Sequence, residues 1–85
     1  MYYVYVLLRS NGTKYTGYTS DLKRRLNEHK NGKVRSTNKA EPKLIYYESY
    51  INKLDAVLRE AYLKTGDGRR EINKQLKNTL LFKNM

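Results

Sequence analysis

The 85-residue chain contains no cysteine and no tryptophan, and only one proline, one phenylalanine and one histidine. Without cysteine there are no disulfide staples, thiol nucleophiles or cysteine-based zinc sites, a composition that suits a reducing cytoplasm. A lone histidine, His29, cannot by itself build a zinc site. The longest apolar run, Met1 to Leu8, is far short of the roughly 20 residues of a membrane-spanning helix, and no charged stretch precedes it as in a secretory signal. A soluble protein is expected, with no membrane association and no obligate protein partner. Acidic residues are also scarce: 8 Asp and Glu face 18 Lys and Arg, a net charge of +10. Leu, Ile, Val and Phe together make up about 22% of the chain, barely above the roughly 20% at which a charged chain stops folding. Nine tyrosines supplement the core, each burying a ring while its hydroxyl keeps a polar partner.

The charge is uneven. Residues 1–40 carry a net +7 and residues 41–85 a net +3. Such an excess draws polyanions through counterion release, which makes nucleic acid, DNA first, the expected partner. Lys14, Arg24, Lys33, Arg35 and Lys39 are the candidate backbone contacts. At this length one domain over residues 1–85 is expected.

Residues 2–9 mix β-branched, aromatic and aliphatic side chains without helical spacing, as a strand buried on both faces does. Asn11-Gly12 closes an antiparallel hairpin with a second strand over Lys14 to Tyr18. Thr19, Ser20 and Asp21 offer helix caps ahead of Leu22 and Leu26, and Asn31-Gly32 ends that helix. At about 100° per residue, Arg25 and His29 fall beside Leu22 and Leu26 on the inward arc, while Lys23, Arg24, Asn27 and Glu28 point elsewhere. A third strand covers residues 43–50, Asn52 caps a second helix with Leu54, Val57, Leu58 and Ala61 as its core stripe, and a third helix runs from about Asp67 to Asn78. The reading is an α/β fold of α+β type: a three-stranded antiparallel sheet flanked by helices, in the order β-β-α-β-α-α.

Singly, each of these polar residues fits an ordinary structural role, Glu60 for instance as a surface pair with Lys64 four residues on. Their order is distinctive: Tyr3-Val4-Tyr5, then Tyr15-Thr16-Gly17, then Arg25 and His29 on one helix and Glu60 on a later one. This resembles the GIY-YIG nuclease superfamily, its short single-domain members in particular, over Tyr2 to about Lys64. Tyr3 stands where the first motif has Gly, and Thr16 where the second has Ile. The resemblance implies a metal-dependent endonuclease that hydrolyses DNA phosphodiester bonds, directed by DNA structure in repair or recombination. It implies Tyr5 orienting or deprotonating the attacking water, Tyr15 hydrogen-bonded to the phosphate or that water, and Arg25 on the phosphate. His29 would assist at the phosphate, in proton transfer, or by packing alone, and Glu60 would bind Mg²⁺ or Mn²⁺. The other reading is a non-catalytic nucleic-acid-binding module with the same fold, and after it a structural or ribosome-associated basic protein.

Overall fold

The computed structural model describes residues 1–34 and 41–81. Its elements are β1 (Tyr2–Leu8), β2 (Lys14–Thr19), α1 (Leu22–Lys30), β3 (Lys43–Tyr50), α2 (Lys53–Leu63), α3 (Gly66–Gln75) and α4 (Lys77–Leu81). The sheet is antiparallel with β1 in the centre, in the order β2-β1-β3. This is the α+β architecture expected from the sequence.

The central position explains the composition of β1. Val4, Tyr5, Val6 and Leu7 are all buried, because side chains alternate between two covered faces. Val4 joins Ala56, Leu63, Ile72 and Leu76 in the core under α2 and α3, with Tyr2, Tyr18, Ile45, Tyr46, Tyr50 and Leu80 at its margin. Tyr5 lies on the opposite face, against His29 of α1. The β1-β2 hairpin turns through Gly12 at φ 87°, a left-handed conformation that glycine adopts without cost.

The second helix departs from the expected pattern. Leu54 and Leu58 are about 60% exposed and Ala61 is exposed, whereas Ala56 and Leu63 are buried and Val57 is half-buried. The face of α2 that meets the rest of the protein therefore reads Ala56, Glu60, Leu63, a spacing of four and then three, with Arg59 at its side. Apolar periodicity alone misplaces it because the inward stripe carries two charged residues. Their burial is compensated. Arg59 donates to both Glu48 oxygens from Nε and Nη2 at 3.0–3.1 Å and to Glu71 from Nη1 at 3.0 Å, while Tyr46 and Tyr50 donate their hydroxyls to Glu48. Burial alone would raise the Glu48 pKa, but the Arg59 hydrogen bonds, with those of Tyr50 and Tyr46, hold it below the ordinary glutamate value.

This network ties β3 to α2 and α3, so Glu48→Gln, which keeps the shape and removes the charge, costs about 1.5–3 kcal/mol. Urea denaturation of the two proteins at pH 7 checks the prediction. A midpoint unchanged by the substitution would show that the network adds nothing to stability.

The third helix is shorter than expected. It caps at Leu76, whose backbone bonds back to Ile72, and α4 follows as a separate short turn. The second helix ends at Lys64, and Gly66 opens α3 rather than closing α2.

Candidate functional site

The site grows from the centre of the sheet. In β1 the run Tyr3-Val4-Tyr5 sends Tyr5 toward α1, and the register places Tyr5 opposite Gly17 and Leu7 opposite Tyr15. A Cβ on Gly17 would lie 2.5 Å from Tyr5 Cζ and closer still to its hydroxyl, so the glycine exists to let the Tyr5 ring lie across β2. The close approach that requires it comes from Tyr5, with no role needed for a phosphate or a helix. Helix α1 begins where the Asp21 carboxylate accepts from Arg24 N–H at 3.1 Å. One turn and two turns on, Arg25 and His29 reach the Tyr5 ring, as their place on the inward arc requires.

Four side chains meet there. The Tyr5 hydroxyl and His29 Nε2 are 2.8 Å apart, and Arg25 Nε donates to the same hydroxyl oxygen at 3.3 Å. Tyr15 completes the cluster, its ring centroid 6.3 Å from that of Tyr5 and 5.1 Å from the imidazole. Burial pushes the Tyr5 phenol up to about 12, with smaller upward pushes from Tyr15 and Glu60 set against the Arg25 hydrogen bond and charge. Burial, and next Arg25, lower the His29 pKa, with Glu28 opposing. At neutral pH both groups are therefore uncharged. With Arg25 occupying the Tyr5 oxygen, the Tyr5 proton is directed at Nε2, and the neutral imidazole is assigned the Nδ1–H tautomer. The guanidinium is held in its charged form by Tyr5 and then by Glu28, which accepts from Arg25 Nη1 at 3.1 Å.

Two features of this cluster escape sequence reasoning. Tyr5 is completely buried, so its hydroxyl sits behind Arg25 and out of reach of bulk water. Glu28, expected to point away, is half-buried and paired with Arg25, a contact that the i,i+3 spacing allows. Arg9 was also missed. Its guanidinium carbon lies 5.5 Å from the Tyr15 ring centroid, a contact that depends on a hairpin register the sequence does not fix.

The remaining candidates are more scattered. Glu60 lies near enough to add to the upward push on Tyr5, yet its carboxylate is paired with Lys64 Nζ at 3.3 Å. Lys14 lines a cavity beside Tyr15. Arg24 is exposed on the outer side of α1, and Lys33 is exposed just beyond its end. Arg35 and Lys39 lie outside the described residues. Among the described residues no three His, Asp or Glu side chains gather around a common point. A lone carboxylate nevertheless suits Mg²⁺ or Mn²⁺, hard cations that bind through one or two carboxylates and complete their shells with water and substrate phosphate. Glu60 is 23% exposed through its side chain and meets that description.

Because His29 is buried neutral, its folded-state pKa is below the unfolded value of about 6.5. As pH falls below 6.5 the unfolded chain takes up the proton first, so stability is full above that pH and declines toward the folded-state pKa. Melting temperatures measured between pH 7.5 and 5.0 should fall for the wild type and fall less for His29→Gln. Equal slopes would show that His29 is not the group responsible.

A buried tyrosine on a central strand, a glycine that accepts its ring, and a helix bringing arginine and histidine to its hydroxyl define a class. The GIY-YIG catalytic domain model matches residues 1–74, and the chain belongs to the GIY-YIG family, a nuclease superfamily. A UPF0213 protein of Streptococcus agalactiae is 48% identical over 64 residues, covering 73% of each chain. A UPF0213 protein of Pediococcus acidilactici is 40% identical over 81 residues, 91% of this chain and 82% of that one. The solution NMR structure of a UPF0213 protein from Bacillus halodurans superposes with a TM-score of 0.57 at 28% identity, covering 88% of this chain and 85% of the other. Among the described residues no helix is long and apolar enough to cross a membrane.

Proposed function

We propose that the chain is a metal-dependent endonuclease, one domain over residues 1–85, that hydrolyses DNA phosphodiester bonds, with Tyr5, Tyr15, Arg25, His29 and Glu60 as its site. The observation that carries this reading is the Tyr5 hydroxyl held between His29 Nε2 and Arg25 Nε. A hydroxyl whose proton already has an acceptor and whose oxygen faces a guanidinium is arranged to pass a proton onward.

Hydrolysis needs a water to lose a proton while charge on the phosphate is stabilised. With a phenol pKa of about 12, Tyr5 does not act as a standing phenolate near pH 7. It acts as a relay: its oxygen takes a proton from the attacking water as its own proton passes to His29 Nε2, leaving an imidazolium. The phosphate triggers this by competing with Tyr5 and Glu28 for the Arg25 guanidinium, whose planar fork suits two phosphate oxygens. As Arg25 turns to the phosphate it uncovers Tyr5. Tyr15, the more exposed phenol, hydrogen-bonds the phosphate or the water beside it. Glu60 would hold the metal, which supplies charge stabilisation at the phosphate and the leaving 3′ oxygen. With no further domain evident in the sequence to read bases, the expected substrates are set by structure, as flaps, junctions or lesions are in repair and recombination.

Labelled duplex, flap, junction and single-stranded DNA, with matching RNA, incubated with Mg²⁺ or Mn²⁺ and with chelator, test this directly. The expected result is metal-dependent cleavage of at least one DNA form. Salt-sensitive binding with no metal-dependent product on any substrate would favour the non-catalytic binding module.

A further inference from the structure

Beside Tyr15, on the α2-α3 side of the hairpin, lies a cavity of about 480 Å³. Four cationic residues line it, Arg9, Lys14, Lys64 and Arg69, and no acidic residue does. They come from four separate places: the end of β1, the start of β2, the end of α2 and the first turns of α3. Two of them belong to the C-terminal half, where sequence placed the weaker field. Like charges gathered from four elements repel one another in an empty cavity, and a ligand of opposite charge relieves that repulsion. Arg69 makes no ion pair among the described residues, and Arg9 Nε is buried with no acceptor there. Arg9 also stacks on Tyr15, which lines the cavity itself and so joins it to the Tyr5 cluster.

We propose that this cavity seats a phosphate of the substrate strand next to the one attacked, and that Lys64 moves from Glu60 to that phosphate when substrate binds. The proposal rests on the nuclease reading for the position of the attacked phosphate. Lys64 connects the two sites: it lines the cavity and pairs with Glu60 one helical turn earlier, at 3.3 Å. A turn of helix advances about 5.4 Å, a step similar to that between neighbouring phosphates on one strand. While Lys64 holds Glu60 it competes with a divalent cation for the same carboxylate. A phosphate in the cavity draws the ammonium away and leaves Glu60 to the metal, and by linkage metal at Glu60 favours the phosphate.

The test reads binding rather than cleavage. Anisotropy of a labelled single-stranded oligonucleotide, titrated without metal across a series of salt concentrations, gives the slope of log K against log salt. Arg9→Met and Arg69→Met should each lower that slope by about one, as expected when one phosphate contact is lost. Slopes equal to wild type for both would overturn the phosphate seat. In a second arm, Mn²⁺ titrations monitored by electron paramagnetic resonance without nucleic acid should show about twofold tighter binding to Lys64→Met, the effect of removing an exposed i,i+4 competitor. Unchanged Mn²⁺ affinity would overturn the exchange. Failure of the nuclease reading looks different: altered slopes without metal-dependent cleavage would leave the seat standing and remove the chemistry, whereas cleavage with unaltered slopes would do the reverse.

Discussion

Tyr5→Phe lowers Mg²⁺-dependent cleavage by about 10²–10⁴-fold, the usual contribution of a positioned proton-transfer group. The substitution keeps the ring that packs against Gly17 and removes only the hydroxyl between His29 and Arg25. Losing it leaves buried His29 Nε2 without the Tyr5 proton, at about 1–3 kcal/mol, so the variant stays folded at 25 °C. Nucleic-acid affinity should be close to wild type, because Tyr5 is buried and the cations that meet phosphate are untouched. Cleavage rates, circular dichroism and anisotropy on the same preparation separate the three effects. Wild-type cleavage by Tyr5→Phe would remove Tyr5 from the chemistry and transfer the case to Tyr15.

Gly17→Ala is expected to abolish detectable cleavage for a mechanical reason. The added methyl group would meet the end of the Tyr5 ring, which cannot swing away because Tyr5 is buried and tied to α1 through His29. Either the ring leaves its hydrogen bonds or β2 shifts from β1, and each outcome separates the hydroxyl from Arg25 and His29. Overpacking of this kind costs about 1–3 kcal/mol. Because the closest contact is to the hydroxyl, the loss of stability should shrink in a Tyr5→Phe background, a coupling that a double-mutant cycle measures. Gly66→Ala is the matched control, since a Cβ there meets only Arg70 Nη1 at an ordinary 3.6 Å. An active Gly17→Ala variant of normal stability would show that the position of the Tyr5 ring is not critical.

How far such a site can be read from sequence is clear from individual residues. The unbroken apolar run of β1 announced a strand covered on both faces, and Asn11-Gly12 announced its hairpin. The inward arc of α1 was legible because Leu22 and Leu26 mark it, which put Arg25 and His29 against the sheet. The inward face of α2 was not legible. It carries Ala56, Arg59, Glu60 and Leu63, so a rule that follows apolar residues selects Leu54 and Leu58, which are exposed. The pairs that restrain the charges, Arg25 with Glu28 and Arg59 with Glu48, depend on rotamers and on a β1-β3 register that shifts between Val6 and Leu7. No spacing rule reaches those. The burial of Tyr5 is likewise a property of the assembled fold, and it replaces an exposed phenol acting on water with a hydroxyl shielded by arginine.

The same pattern changes the meaning of the net charge. Sequence places the field in the first 40 residues, yet the cavity beside Tyr15 draws Lys64 and Arg69 from the other half. Arg24 and Lys33, by contrast, stand on exposed parts of α1 and the segment after it, where any contact to a strand would be peripheral.

The central claim is that this arrangement hydrolyses DNA through a metal held at Glu60, and a single comparison bears on it most directly. Wild type and Glu60→Ala are incubated with the same labelled DNA at saturating Mg²⁺, and cleavage and binding are measured on each. The account predicts metal-dependent cleavage by wild type, its loss in Glu60→Ala, and DNA binding retained or slightly strengthened as an acidic group leaves a basic surface. Equal cleavage by the two proteins, or metal-dependent cleavage by neither, would contradict it.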